Sequence, residues 1–118
     1  MDQRRYPRFS VRFHSSFSSV NLVEGEGTVL DLSLRGCGIA GSVEVLPGTT
    51  LALRIHRQDD EVLLTIGQAV VRWCRNGRVG LEFLSLQPEE WAHLQAVVKD
   101  LHRQPYERND DSQDRSVA

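Results

Sequence analysis

A chain of 118 residues has the size of one domain, and 40% hydrophobic with 25% charged residues is a globular composition. No apolar run is long enough to cross a membrane, and no signal-peptide pattern follows the first residue, so the sequence predicts a cytoplasmic protein that does not bind membranes. The formal net charge of −2 argues against binding to DNA or RNA through bulk charge.

The N-terminal half predicts a series of short strands. Apolar and polar side chains alternate from Phe9 onward, which is typical of a strand with one buried face. The composition of residues 24–27, Glu-Gly-Glu-Gly, predicts a turn. Further strands are predicted over residues 17–23 and 28–33, and another begins at Cys37.

The second half continues in the same way. Alternating residues predict a strand over 51–55, a long strand over 62–73 and a last strand over 79–83. Gly67 lies inside the long strand, where glycine indicates a bulge or a bend. The Asn-Gly pair at 76–77 predicts a tight hairpin between the last two strands.

The hydrophobic period changes from two to that of a helix near Pro88, which suits the first turn of a helix. Glu89 and Glu90 follow it and complement the positive end of the helix dipole. The helix is expected to end near Pro105, and its apolar stripe is interpreted as a packing face. That stripe is formed by Trp91, Leu94, Val98 and Leu101.

Short antiparallel strands followed by one helix predict a mainly all-β fold, a six- or seven-stranded antiparallel β-barrel with a C-terminal α-helix. The expected organisation is a flexible N-terminal segment over 1–8, the barrel and helix over 9–104, and a disordered polar tail over 105–118.

Two classes of site are not indicated. Cys37 and Cys74 belong to no CxxC pair and the four histidines form no cluster, so we expect free thiols, no metal and no cofactor. The chain shows no P-loop and no local Ser/His/Asp or Cys/His arrangement, so we do not expect an enzyme.

The basic residues are unevenly distributed. Lys99 is the single lysine among 14 basic residues, and four arginines fall near the N-terminus. A guanidinium presents a planar fork that matches phosphates and guanine edges, so this segment suggests a small local anion site. The four arginines are Arg4, Arg5, Arg8 and Arg12.

Two motifs follow one another along the chain. Arg4 and Arg8 form an RxxxR motif just before the first strand, and the stretch from Asp31 to Gly36 forms a DxSxxG motif at a strand end. In this order they resemble the PilZ domain family. The resemblance extends over about residues 4–101 and includes Gly38-Ile39, the sequences at 69–73 and 80–83, and the helix beginning at Pro88.

The resemblance implies a bacterial receptor whose ligand is cyclic di-GMP. It implies that Arg4 and Arg8 contact guanine and phosphate with Arg5 as a helper. Asp31 would accept from the guanine N–H donors. A guanine offers paired acceptors to one arginine and donors to a carboxylate, which agrees with these roles.

Three further positions complete the candidate site. Ser33 can hydrogen-bond a phosphate or a base. Gly36 removes a Cβ where backbone and ligand come close, or permits a positive φ. Trp73 ends a predicted strand and either lies beneath a guanine or is a core or rim aromatic.

Each feature also has a purely structural interpretation. The arginine segment can be a solvated tail, and Arg8 with Arg12 forms a second RxxxR pair. Asp31 and Ser33 can cap a turn, and Gly36 can be a bulge residue in a barrel corner.

The functional hypothesis is a receptor that orders its N-terminal arginine segment on binding cyclic di-GMP and signals to an effector protein. A monomer is expected, and a dimer is compatible with the sequence. The alternative is a PilZ-like interaction adaptor that binds no nucleotide. A barrel that binds single-stranded nucleic acid would need more aromatic and basic strand faces than this acidic chain provides.

Overall fold

The computed structural model describes residues 6–19, 24–41, 45–57 and 61–103, and the side chain of the last residue is not described. Six strands precede one helix, and neighbouring strands pair in antiparallel fashion. The elements are β1 (Phe9–Ser18), β2 (Glu24–Leu32), β3 (Gly36–Gly41), β4 (Thr50–His56), β5 (Val62–Arg75), β6 (Arg78–Phe83) and α1 (Pro88–Arg103).

The sheet closes on itself in the order β1-β2-β3-β6-β5-β4, because β1 pairs with both β2 and β4. Closure removes the exposed strand edges that would otherwise pair with other chains. The predicted β-barrel with a C-terminal helix is therefore confirmed, with six strands among the described residues.

The barrel interior is filled by the inward side chains of every strand. In β4, buried Leu51, Leu53 and Ile55 alternate with more exposed neighbours, as the period of two predicts. Leucine, isoleucine and valine supply most of this core, so burial of apolar surface stabilises the closed sheet.

Helix α1 contacts β5 and β1. Leu94 and Leu101 are buried and Val98 is half-buried, so the predicted packing stripe is confirmed at these positions. Trp91 is 38% exposed and lies at the margin of the stripe. The helix begins at Pro88 as predicted, and residues from 104 onward lie outside the described part.

The predicted turn at residues 24–27 is wrong, because these residues open strand β2. A Cβ on Gly27 would come within 2.6 Å of the Ala40 carbonyl oxygen, so glycine is needed here for close strand packing. The predicted separate strand over 17–23 is also wrong at its start, since Phe17 and Ser18 end β1. Residues 20–23 lie outside the described residues.

Two local predictions are confirmed. Asn76 and Gly77 have φ values of 53° and 75°, the pair of positive angles that a type I′ hairpin turn requires. The register of β5 against β4 shifts between Ile66 and Ala69, so the bulge includes Gly67. Residues 1–5 of the predicted N-terminal segment and the whole predicted tail over 105–118 lie outside the described residues, so this division of the chain stays a prediction.

Candidate functional site

One row of cross-strand neighbours crosses four adjacent strands on the outside of the barrel. Asp31 of β2 pairs with Gly38 of β3, Gly38 pairs with Gly80 of β6, and Gly80 pairs with Trp73 of β5. The two glycines have no side chains, so they form a low floor on which the aspartate at one end and the tryptophan at the other can lie.

At the aspartate end, Arg8 Nη1 donates a hydrogen bond to Asp31 Oδ1 at 2.6 Å. The side chains are 41% and 36% exposed, so both charges remain accessible to a ligand. The other carboxylate oxygen lies over Gly38, where an added Cβ would be 2.9 Å from Oδ2. Gly38 therefore leaves the space that the Asp31 carboxylate occupies.

A β-bulge precedes this aspartate. Val29 pairs with Ile39 and Asp31 with Gly38, so Leu30 is an extra residue in β2. Bulges rotate the side chains that follow them, and this one directs Asp31 outward above a buried core.

At the tryptophan end, the indole of Trp73 lies against the backbone of Gly80. A Cβ on Gly80 would be 2.3 Å from the indole Nε1, so only glycine accommodates this ring position. Trp73 is 41% exposed, and the guanidinium carbon of Arg75 lies 5.5 Å from its ring centroid. The structure therefore excludes a core position for Trp73, and a position beneath a guanine stays a prediction.

A second bulge explains how Trp73 and its neighbour share one surface. Val71 pairs with Leu81 and Trp73 with Gly80, so Arg72 is an extra residue in β5. Consecutive strand residues normally face opposite sides of a sheet, but Arg72 and Trp73 are both exposed.

The row borders a cleft of about 250 Å³. Its charged lining contains three arginines and one glutamate, which gives the cleft a positive balance. The lining residues are Arg8, Arg35, Gly36, Arg72, Trp73, Gly80, Leu81 and Glu82.

Glu82 connects two of these arginines. Arg35 Nη2 donates to Glu82 Oε2 at 3.0 Å, and Arg72 Nε donates to Glu82 Oε1 at 2.7 Å. Hydrogen bonds from Arg35 and then Arg72 hold the pKa of the Glu82 carboxyl below its ordinary value. The Arg35 guanidinium carbon also lies 5.3 Å from the ring centroid of Tyr6, in the N-terminal segment.

Ser33 closes the turn between β2 and β3. Its Oγ accepts hydrogen bonds from the backbone amides of Arg35 at 3.0 Å and Gly36 at 3.2 Å. The Ser33 side chain is buried, which agrees with the turn-capping interpretation. A direct contact from Ser33 to a ligand stays a prediction.

Gly36 lies so close to the backbone of β6 that a side chain would not fit. A Cβ there would lie 2.1 Å from the Leu81 carbonyl oxygen, so the close approach is between two backbones. The predicted alternative of a positive φ is wrong, because the positive-φ glycines of the described chain are Gly48 and Gly77.

The cysteines lie in strands and are free thiols, as predicted. Cys37 is buried beneath the row, and burial raises the pKa of its thiol, with a further contribution from the Asp31 charge. Among the described residues, no group of three or more His, Cys, Asp or Glu side chains could hold a metal ion.

A larger cleft of about 520 Å³ has a different chemistry. Its charged lining residues are Glu24, Glu26 and Arg54, so acidic groups outnumber basic ones. An anionic ligand is better matched by the smaller cleft, where arginines predominate.

The structure brings together Arg8, Asp31, Gly36 and Trp73 from the predicted set, with Ser33 in the turn beside them. Arg4 and Arg5 lie outside the described residues. Sequence reasoning missed five residues as site components, although glycines inside strands and the Arg-Trp pair were available signals. The missed residues are Arg35, Gly38, Arg72, Gly80 and Glu82.

Among solved structures, the chain is similar to YcgR from Escherichia coli in complex with c-di-GMP, with a TM-score of 0.74 and 21% identity. The match covers 96% of this chain and 52% of the YcgR chain, so this chain spans about half the length of that protein. The PilZ domain of YcgR from Escherichia coli with c-di-GMP gives a TM-score of 0.70 at 21% identity, covering 90% of this chain and 96% of that domain.

The K. pneumonia MrkH–c-di-GMP complex gives a TM-score of 0.71 at 16% identity, covering 92% of this chain and 56% of MrkH. At these identities the likeness concerns the fold. No curated protein matches the chain. In the described part, no helix is long and apolar enough to span a membrane.

The PilZ domain family model matches residues 2–100, which include every strand of the barrel and most of the helix. Arg8 and Gly36, one residue from each motif that suggested this family, line one cleft, and Arg8 binds Asp31 of the second motif. The chain belongs to the PilZ domain family.

Proposed function

We propose that this chain is a receptor for cyclic di-GMP that catalyses no reaction. The single observation behind the proposal is the outer row of residues, in which the Arg8–Asp31 pair and Trp73 lie at opposite ends on a floor of two glycines. Cyclic di-GMP has two anionic phosphates and two guanines, and each part has a chemical counterpart in this row.

Arg8 suits the paired O6 and N7 acceptors of a guanine, or a phosphate, through its forked donors. Asp31 suits the N1–H and N2–H₂ donors of a guanine, because a carboxylate accepts several hydrogen bonds. The exposed indole of Trp73 suits stacking on a base. The complexes of YcgR and MrkH with c-di-GMP support the choice of ligand for a barrel of this fold.

The size of the cleft supports a role for the N-terminal segment. Its volume of about 250 Å³ is below the roughly 300–1,000 Å³ of typical small-molecule pockets. The barrel surface therefore provides one wall, and Arg4 and Arg5 are proposed to complete the site when segment 1–8 orders over the ligand. Ser33 is proposed to position the turn that contains Arg35 and follows Asp31 at the end of β2.

The ordered segment and the bound ligand would form a new surface for an effector protein, in the bacterial cytoplasm. The charge around the cleft would change at the same time, because the phosphates of the ligand would neutralise the arginines that line it. A monomer is sufficient for this mechanism, since one chain supplies the whole row.

The test is calorimetric titration of the protein with cyclic di-GMP, with GTP and cyclic di-AMP as controls. We expect saturable binding of cyclic di-GMP alone, and slower amide exchange in residues 1–8 when the ligand is bound. Absence of heat, with no change in melting temperature at high ligand concentration, would replace the receptor with the nucleotide-free adaptor.

A second prediction concerns the floor of the site. Gly80→Ala is expected to displace the Trp73 indole, because the new Cβ would lie 2.3 Å from Nε1. Affinity for cyclic di-GMP should fall about ten-fold, the size of one base–aromatic stack. In a Trp91→Phe background the fluorescence reports Trp73 alone, and an unchanged emission spectrum would contradict the predicted displacement.

A further inference from the structure

Arg35 and Arg72 are separated in sequence but their guanidinium groups converge on one carboxylate. They bind opposite oxygens of Glu82, at 3.0 Å and 2.7 Å. The arginine side chains are 58% and 57% exposed, whereas the Glu82 side chain is 28% exposed. The carboxylate is thus the more enclosed partner, with a guanidinium on either side.

This cluster lies in the same cleft as Arg8 and Trp73. The bulge at Arg72 makes it an exposed neighbour of Trp73, and Arg35 lies in the turn that Ser33 closes. The structural elements that place Trp73 and Asp31 in the row therefore also place the two arginines beside it.

The geometry favours an anion between the arginines. A carboxylate and a phosphodiester each present two oxygens that share one negative charge, and guanidinium groups bind both in the same way. Each guanidinium has five N–H donors and uses one of them on Glu82, so each has further donors with which to bind a second anion.

The bridge contributes little to the stability of the fold, because both arginine side chains are largely exposed and ion pairs near the surface are weak in water. A cross-strand salt bridge alone would also not require the bulge that places Arg72 next to Trp73. Arg35 adds a link to the N-terminal segment through the ring of Tyr6, at 5.3 Å.

We propose that Arg35 and Arg72 form a second anion subsite for a phosphodiester of the ligand, and that the Glu82 carboxylate occupies this subsite in the free protein as an internal competitor. The proposal rests on the proposed receptor function. It assigns a specific cost to binding, because Glu82 must yield at least one guanidinium to the incoming phosphate.

The experiment is calorimetric titration of the full chain with cyclic di-GMP at two salt concentrations. Arg72→Gln is expected to weaken binding about ten-fold and to reduce its salt dependence. Glu82→Gln retains the shape but removes the charge, and it is expected to tighten binding roughly three- to ten-fold. The matched controls are Arg54→Gln and Glu24→Gln, exposed residues of the other cleft, with no expected effect.

The outcomes separate the two proposals. If the native protein does not bind cyclic di-GMP, the receptor function itself is overturned. If the native protein binds and Arg72→Gln binds equally well, only the second subsite is overturned. Weaker binding by folded Glu82→Gln would overturn the competitor role, because it would mean that Glu82 holds the arginines in place for the ligand. Melting temperatures establish that each variant is folded.

Discussion

Arg8→Ala and Asp31→Ala are each expected to lower the affinity for cyclic di-GMP by about 100-fold while the barrel remains folded. Hydrogen bonds to charged groups contribute about 1.5–3 kcal/mol each. Either side chain can make two of them to one guanine, and about 1.4 kcal/mol corresponds to a ten-fold change. Both side chains of the Arg8–Asp31 ion pair are exposed, so loss of the pair should lower the free energy of unfolding by about 1 kcal/mol or less.

The matched control is Arg12→Ala, which removes an exposed arginine from the same strand region. It also separates the two possible RxxxR pairs. If Arg12→Ala abolished binding and Arg4→Ala did not, the site would use Arg8 with Arg12 in place of Arg4 with Arg8. Calorimetry gives the affinities, and circular dichroism with thermal melts establishes that each variant retains the barrel.

Gly36→Ala is expected to destabilise the protein by about 3 kcal/mol in the absence of any ligand. The added Cβ would lie 2.1 Å from the Leu81 carbonyl oxygen, and this contact is with backbone that cannot rotate away. Strands β3 and β6 must therefore separate at a point where the barrel is closed. Urea denaturation of the free protein measures the effect, and the melting temperature should fall by roughly 10–20 °C.

Gly67→Ala makes the same chemical change in a different environment. There the new Cβ would lie 3.2 Å from Glu90 Oε2, the end of a flexible side chain that can move. We expect its stability to remain within about 1 kcal/mol of the native value. If Gly36→Ala were equally mild but failed to bind ligand, Gly36 would be needed for close approach of the ligand and not for strand packing.

Three glycines show that the motif residues and the residues that shape the cleft are not the same set. Gly36 is a motif residue, yet its nearest neighbour is the backbone of β6. Gly38 and Gly80 lie outside DxSxxG, yet they make room for Asp31 and Trp73 at the surface. A sequence motif therefore does not separate residues that hold the barrel together from residues that shape the cleft.

Short sequence patterns were sufficient to predict most of the strands, the hairpin and the helix. Alternation predicted the strands at 51–55 and 79–83, the Asn-Gly pair predicted the hairpin, and Pro88 predicted the start of the helix. The same reasoning failed at residues 24–27, where two glycines looked like a turn but relieve crowding against β3. A glycine-rich stretch has the same composition whether it forms a turn or a crowded strand. Only the distance to the neighbouring strand distinguishes the two.

The sequence by itself determined the family, the strand pattern and the acid–arginine chemistry of the motifs, because these depend on residue type and short spacing. The tertiary structure decided which residues share one surface. Asp31 and Trp73 lie in one row with Gly38 and Gly80 because the registers of four strands align these residues. Bulges at Leu30 and Arg72 set which side chains point outward. Register and bulge position depend on packing across the whole barrel, so no local pattern contains them.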